Sequence, residues 1–190
     1  MAAMEVVSQN DTFADRAFAA EQAELAAAGD AGDATRLLLL YLILGRLEDA
    51  RHLWRRTPDD ARAAAPQLAA AWGVGRRLWR RDDVPGALAL LAQTAWEEPL
   101  VDLAGALATS VRGRELDVMS KAFSNISLKT VAATLHLADE QAHGLCMQRG
   151  WGFDAATSTF APKPPVQEMP RFDGFAQLEH LTDIVTSLQM

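Results

Sequence analysis

Residues 41–54 read YLILGRLEDARHLW, and this stretch decides the fold. One helix ends at Gly45, which can take the left-handed conformation that closes a helix, and the next helix begins two residues later. Ala50 is small where two antiparallel helices would cross, and Trp54 fills the space one turn further on. This order of residues is typical of tetratricopeptide-type helical hairpins.

Two weaker copies of the pattern follow along the chain. They are centred on Ala87 and on Val118, at intervals of 37 and 31 residues, near the repeat length of about 34 residues. Only the copy around Ala50 is complete, so ordinary helical hairpins without a true repeat are the alternative. Both interpretations predict a mainly α-helical array over residues 1–126.

Capping residues and prolines predict where the helices begin and end. A first helix is expected over residues 12–28, and Asp33 is expected to cap the second. Asp82 or Asp83 would cap a later helix, and separate helices are expected over residues 99–108 and 115–123. The residues expected to be buried in the helix that begins at Pro66 are Leu68, Trp72, Leu78 and Trp79.

Residues 127–165 predict a winged helix. Ser127 can cap one helix and Asp139 the next. Two short strands are expected over residues 151–154 and 158–161. The aromatic side chains expected to cover the helices from the side of the sheet are Trp151, Phe153 and Phe160.

Residues 166–190 predict a linker and a C-terminal amphipathic helix. The apolar residues Leu178, Leu181, Val185 and Leu188 recur at intervals of 3, 4 and 3, and Ile184 widens their stripe. This spacing is typical of a helix that packs against other helices. We expect it to assemble with partner subunits; the alternative is that it folds back onto its own helical array.

Composition argues against a membrane or nucleic-acid partner. The net charge is −7 and the isoelectric point is near 5.0, which disfavours anionic surfaces. The longest apolar run, residues 37–44, is far shorter than the roughly 20 residues of a membrane span. The N-terminus lacks the pattern of a signal peptide. We therefore expect a protein of the cytoplasm and nucleus.

The sequence offers no candidate catalytic, cofactor-binding or metal site. The four histidines are not spaced as metal ligands, and Cys146 is expected to be a small core residue. The helix from Asp139 opens with two carboxylates, so it makes a poor DNA reader. A cluster of arginines predicts either a surface for an acidic partner or a solvated face that shields Trp72 and Trp79. Its members are Arg76, Arg77, Arg80 and Arg81, and Arg55 and Arg56 are expected nearby.

Several segments resemble the subunit-eight family of the COP-nine signalosome. The resemblance extends over roughly residues 37–190, and its tryptophan-containing segments are the most specific. The matching segments are residues 40–44, 50–58, 71–82, 122–126, 150–151, 162–165 and 177–185.

The resemblance implies a PCI domain, which consists of helical repeats capped by a winged helix. It also implies a non-catalytic scaffold in the complex that removes Nedd8 from cullins and so regulates cullin-RING ubiquitin ligases. By the same resemblance, Ser158, Thr159 and Phe160 would contact a neighbouring PCI subunit edge to edge. The terminal helix would then join a bundle of signalosome helices. Small PCI subunits of the proteasome lid or of translation initiation factor three are the alternative, and a nucleic-acid-binding winged helix is a weaker one.

Overall fold

Helices make up most of the chain, and a small antiparallel sheet lies near the C-terminal end of the described part. The computed structural model describes residues 12–21, 31–80 and 83–164. Its helices are α1 (12–21), α2 (Ala31–Leu44), α3 (Leu47–Arg56), α4 (Asp59–Ala64), α5 (Pro66–Arg80), α6 (Val84–Gln93), α7 (Leu100–Ala122), α8 (Leu128–Leu135) and α9 (Asp139–Gln148). The strands are β1 (Ile126–Ser127), β2 (Gly152–Asp154) and β3 (Thr159–Ala161). The predicted fold class, a helical array capped by a winged helix, is confirmed.

The turn between α2 and α3 is built as the sequence predicts. Gly45 has φ of +76°, the left-handed conformation that ends a helix. The last carbonyls of α2 cannot be bonded within the helix, and α7 supplies donors for two of them. Arg114 donates from Nη2 to the Leu42 oxygen at 2.9 Å, and Ser110 donates from its hydroxyl to the Ile43 oxygen at 3.1 Å. The first hairpin is therefore tied to a helix far along the chain.

A polar cluster holds α1 against the same turn. The Tyr41 hydroxyl donates to the Glu21 carboxylate at 2.8 Å, and Arg46 Nη1 lies 3.1 Å from the same oxygen. The Arg46 guanidinium also stands 4.9 Å from the centre of the Tyr41 ring. Burial and the bond to Glu21 raise the pKa of Tyr41 well above its usual value. The neutral phenol therefore acts as the donor.

Two tryptophans join α3 to α5 at the margin of the core. The rings of Trp54 and Trp72 stack with centroids 5.5 Å apart and planes inclined by 11°. Both are only half-buried, whereas Leu68 beside them is fully buried. The prediction that Trp79 is buried is wrong: its side chain is 37% exposed. The Arg51 guanidinium covers part of the ring instead, 5.3 Å from its centroid.

The predicted caps give a mixed result. Asp83 caps α6 as expected, since its carboxylate accepts from the Gly86 amide at 2.9 Å. The prediction for Asp33 is wrong, because α2 already begins at Ala31 and Asp33 lies inside the first turn. There its carboxylate still faces the positive end of the helix dipole.

Helix α7 is continuous where the sequence predicted two helices around the third copy of the pattern. Separate helices were expected over residues 99–108 and 115–123, but one helix of 23 residues runs from Leu100 to Ala122. Gly113 lies inside this helix, not at its end. The Gly113 carbonyl also accepts a bond from Arg149 Nη2 at 3.2 Å. The faint third repeat is therefore not a hairpin.

Two hydrophobic cores share α7. The first half of α7, through Val111, packs in the core of the helical array. Leu116 and Met119 belong instead to a second core that extends to Phe160. Polar contacts also join α7 to the winged helix. Arg112 Nε donates to the Leu135 oxygen at 3.2 Å, and Arg149 forms an ion pair with Asp117. Helix α7 therefore contributes to both cores. The predicted domain boundary at residue 126 stays a prediction.

Candidate assembly surfaces

The winged helix begins with a capped helix. The Ser127 hydroxyl accepts from the Thr130 amide at 3.1 Å, which confirms the predicted cap. Val131 and Leu135 on the apolar stripe of α8 are fully buried. Asp139 is the first residue of α9 rather than its cap, and Ala138 occupies the cap position without a side-chain bond. The carboxylate of Asp139 then lies in the first turn, where it favours the helix dipole.

The sheet of the winged helix has three antiparallel strands in the order β1–β3–β2. The sequence predicted β2 and β3, and both are present. It missed β1, which consists of only Ile126 and Ser127 and carries no alternating pattern long enough to read. Ile126 lies opposite Phe160 in the sheet, and both side chains are buried.

This strand order corrects the expected position of the sheet's free edge. Thr159 and Phe160 lie on the central strand, which pairs with β1 on one side and β2 on the other. Phe160 is also fully buried in the second core. Ser158 is exposed in the preceding turn at φ of +51°, and its carbonyl accepts from the Leu128 amide at 3.1 Å. Backbone pairing through this edge of β3 is therefore already used inside the chain.

Strand β2 is an outer strand of the sheet. Among the residues that the structure describes, β3 is its only strand neighbour, and all three of its residues are exposed. Phe153 on this strand remains 37% exposed. Its ring packs edge-on against the His143 ring, with the ring centroids 4.7 Å apart. An outer strand presents unpaired backbone groups that another chain can use.

The turn after β2 is held by a single carboxylate. Asp154 accepts from the Ala156 amide at 3.0 Å and from the Thr157 hydroxyl at 2.8 Å. The Thr157 bond, followed by the Ala156 bond, lowers the pKa of Asp154. The turn at the tip of the β2–β3 hairpin is thus ordered by its own side chains.

The remaining predicted partner residues belong to the C-terminal segment of the sequence. Residues 165–190 lie outside the described part of the chain. The predicted partner residues in this range are Leu178, Leu181, Ile184, Val185 and Leu188. Their role stays a prediction.

The described residues show little that resembles a reactive centre. Cys146 is fully buried, as predicted, and burial raises the pKa of its thiol to about 11, so the thiol is protonated near neutral pH. Within residues 12–21, 31–80 and 83–164, no three metal-ligating side chains come together. His52 is exposed on α3, and His136 occupies a left-handed turn at φ of +50°.

No helix in the described ranges is long and apolar enough to cross a membrane. The first turn of α9 exposes the carboxylates of Asp139 and Glu140, where a DNA-reading helix would approach phosphates. The absence of a nucleic-acid partner stays a prediction.

A stack of helices that ends in a three-stranded winged helix defines a PCI-type helical domain. The sequence profile of the CSN8/PSMD8/EIF3K family matches residues 34–170. The chain belongs to this family.

Three relatives illustrate the similarity, and each is a COP9 signalosome complex subunit 8. The protein of Danio rerio is 35% identical over 159 residues, which cover 82% of this chain and 81% of the relative. The protein of Xenopus tropicalis is 32% identical over 173 residues, or 89% of each chain. The protein of Arabidopsis thaliana is 26% identical over 152 residues, or 80% of this chain and 77% of the relative.

Proposed function

We propose that this protein is a non-catalytic assembly subunit of the COP-nine signalosome, the complex that removes Nedd8 from cullins. The observation that carries the proposal is similarity to subunit 8 proteins over four fifths or more of both chains. The family also includes small subunits of the proteasome lid and of translation initiation factor three. The names of the similar proteins favour the signalosome among these three.

A structural role fits the chemistry of the described residues. The single cysteine is buried, and burial raises the pKa of its thiol to about 11. An isopeptidase that uses zinc needs several ligands at one point. Highly purified protein should therefore leave Nedd8-conjugated cullin intact, with or without added zinc. Turnover that is abolished by chelation would contradict the proposal.

We propose that the winged helix docks a neighbouring PCI subunit through the outer edge of β2. This proposal keeps the predicted contact in the same small sheet but moves it from the central strand β3 to β2, an outer strand whose three residues are exposed. The C-terminal helix would join a bundle of helices from other subunits, through the stripe that contains Leu181. The complex would act in both cytoplasm and nucleus.

Copurification tests membership in the complex. Tagged protein, expressed in cells of its own organism, should recover signalosome subunits and cullins in stoichiometric amounts. Recovery of proteasome or ribosomal initiation components instead would assign the chain to one of the other branches of the family.

A pair of glycine substitutions tests the edge of β2. At Gly152 an added Cβ would meet its nearest neighbour, the Ala161 Cβ, at an ordinary 3.9 Å, so Gly152→Lys should fold. Lysine on an outer strand opposes pairing with another strand, so incorporation into the complex should fall. Gly105→Lys adds the same charge on the exposed side of α7, where nothing lies within 4 Å, and should assemble normally. Equal incorporation of both variants would refute the role of β2.

A further inference from the structure

Basic residues are segregated along this chain. Residues 46–81 hold nine of the 18 lysines and arginines but only four of the 25 acidic residues. This segment therefore carries a net charge of +5, whereas the whole chain carries −7. A local positive surface on an acidic protein attracts anionic groups selectively, because the rest of the molecule repels them.

The packing of α3 against α5 brings part of this charge onto one surface. Arg51 lies over Trp79, and Trp54 stacks on Trp72, so the two helices run in opposite directions. Arg55 follows Arg51 by one helical turn on α3. Arg76 precedes Trp79 by one turn on α5. Residues one turn apart share a face of a helix.

The charges on this surface are poorly neutralised. The Arg55 and Arg76 side chains are exposed, and neither guanidinium forms an ion pair or hydrogen bond with any described residue. Arg51 reaches the Glu48 carboxylate only at 3.9 Å. Like charges one turn apart, as at 51 and 55, destabilise a helix slightly. Carboxylates from a partner would remove that cost.

Trp79 gives the same surface an apolar element. Trp79 is 37% exposed, and the Arg51 guanidinium lies 5.3 Å from the centroid of its ring. Tryptophan and arginine together are enriched where proteins bind one another.

We propose that the surface formed by Arg51, Arg55, Arg76 and Trp79 docks an acidic protein segment. The segment would place carboxylates against the arginines and one apolar side chain against Trp79. A nucleic acid fits less well, because a long polyphosphate would also meet the strongly acidic remainder of the chain. The proposal goes beyond signalosome membership and does not depend on it.

The direct test uses the full-length protein and a synthetic probe. The probe is a fluorescein-labelled peptide with two glutamates on each side of one leucine, and its neutral counterpart carries glutamines. Fluorescence anisotropy should detect binding of the acidic probe that weakens with added salt, while the neutral probe should not bind. In nitrogen-15 spectra the indole N–H signal of Trp79, assigned from its loss in Trp79→Phe, should shift on titration.

Charge-matched variants locate the site. The double variant Arg55→Gln with Arg76→Gln should weaken probe binding about five- to tenfold, because two exposed charge contacts are removed. Lys121→Gln with Lys129→Gln removes the same charge from exposed positions near the winged helix and should change binding less than about twofold. All four side chains are exposed, so thermal melting should be preserved in both variants.

Three results would overturn the proposal. One is no binding of the acidic probe at millimolar concentration and low salt. Another is equal weakening by the two double variants, which would reflect net charge alone. The third is tighter binding of a single-stranded oligonucleotide or of phosphoinositide vesicles at the same arginines, which would assign the surface to polyphosphates. None of these results bears on copurification with the signalosome, so the two proposals fail separately.

Discussion

Replacing Gly45 by alanine should destabilise the protein through two effects that the structure separates. The first is backbone strain. Gly45 has φ of +76°, and the left-handed conformation costs a residue with a Cβ about 1–2 kcal/mol. This cost arises in the folded state, whatever surrounds the side chain.

The second effect is a collision with the side chain that closes the turn. A Cβ at Gly45 would lie 2.9 Å from Arg114 Nη1, too close for the present geometry. Arg114 would have to move, and its 2.9 Å bond to the Leu42 oxygen would weaken. A hydrogen bond from a charged donor contributes about 1.5–3 kcal/mol when buried, and less at this half-buried site. The two effects together predict a loss of about 2–4 kcal/mol in the free energy of unfolding.

Two other glycines provide matched controls. Gly150 has φ of +74° but open space around its Cβ position, so Gly150→Ala should show the strain alone, about 1–2 kcal/mol. Gly105 lies in α7, also with nothing within 4 Å. Since alanine is a better helix former, Gly105→Ala should stabilise the protein by about 0.5–1 kcal/mol.

Urea unfolding followed by circular dichroism measures all three changes. A double-mutant cycle with Arg114→Gln isolates the collision, because Gly45→Ala should cost less when the shorter glutamine replaces arginine. If Gly45→Ala and Gly150→Ala cost the same, the contact with Arg114 contributes nothing. If both are neutral, the argument from positive φ fails.

The remaining predictions concern the aromatic pair, the thiol and the terminal helix. Trp54→Ala and Trp72→Ala should each lower the free energy of unfolding, measured with urea, by about 1–3 kcal/mol, less than the roughly 3–5 kcal/mol for a fully buried tryptophan. A double-mutant cycle should give a coupling energy of about 0.5–1.5 kcal/mol between the two rings. A variant that melts normally but no longer binds its partner would place the tryptophan at an interface. Because the thiol of Cys146 ionises near pH 8.5 when unfolded but has a pKa of about 11 when folded, stability should fall as pH rises through this window. Urea midpoints at about pH 8 and about pH 10 should show a smaller fall for Cys146→Ala, and identical falls would contradict the assignment. Leu181→Asp should leave melting of the isolated protein nearly unchanged yet weaken its incorporation into the complex; a sharply lower melting temperature with normal assembly would mean that the helix belongs to this protein's own core.

Local signals predicted the parts of the fold that local chemistry controls. Gly45 ends α2 because only glycine enters its conformation without strain. Asp83 and Ser127 cap their helices because each carboxylate or hydroxyl finds an amide three residues ahead. In these cases the residues that determine the structure lie within one turn of it.

The errors share a different cause, since each depends on distant residues. A break was expected between residues 108 and 115, but α7 runs through this stretch and packs in a second core that extends to Phe160. Trp79 was expected to be buried, yet it remains 37% exposed where α5 meets α3, with the Arg51 guanidinium 5.3 Å from its ring centroid. Strand β3 is central because β1 pairs with it. Strand β1 has only two residues, too few to show a strand pattern in the sequence, so it is recognised only by its pairing. The sequence indicated the arginine cluster with Arg55 nearby, but the contribution of Arg51 depends on the packing of α3 on α5.

The continuity of α7 also restricts how this chain can change in length. Each added residue in a helix advances it by about 1.5 Å and rotates everything beyond by about 100°. An insertion or deletion between Val111 and Leu116 would therefore swing the winged helix around the axis of α7, away from Arg112 and the array. Loops elsewhere can gain residues without this effect. Length variation should thus be excluded from the middle of α7, since this helix sets the orientation of the winged helix relative to the helical array.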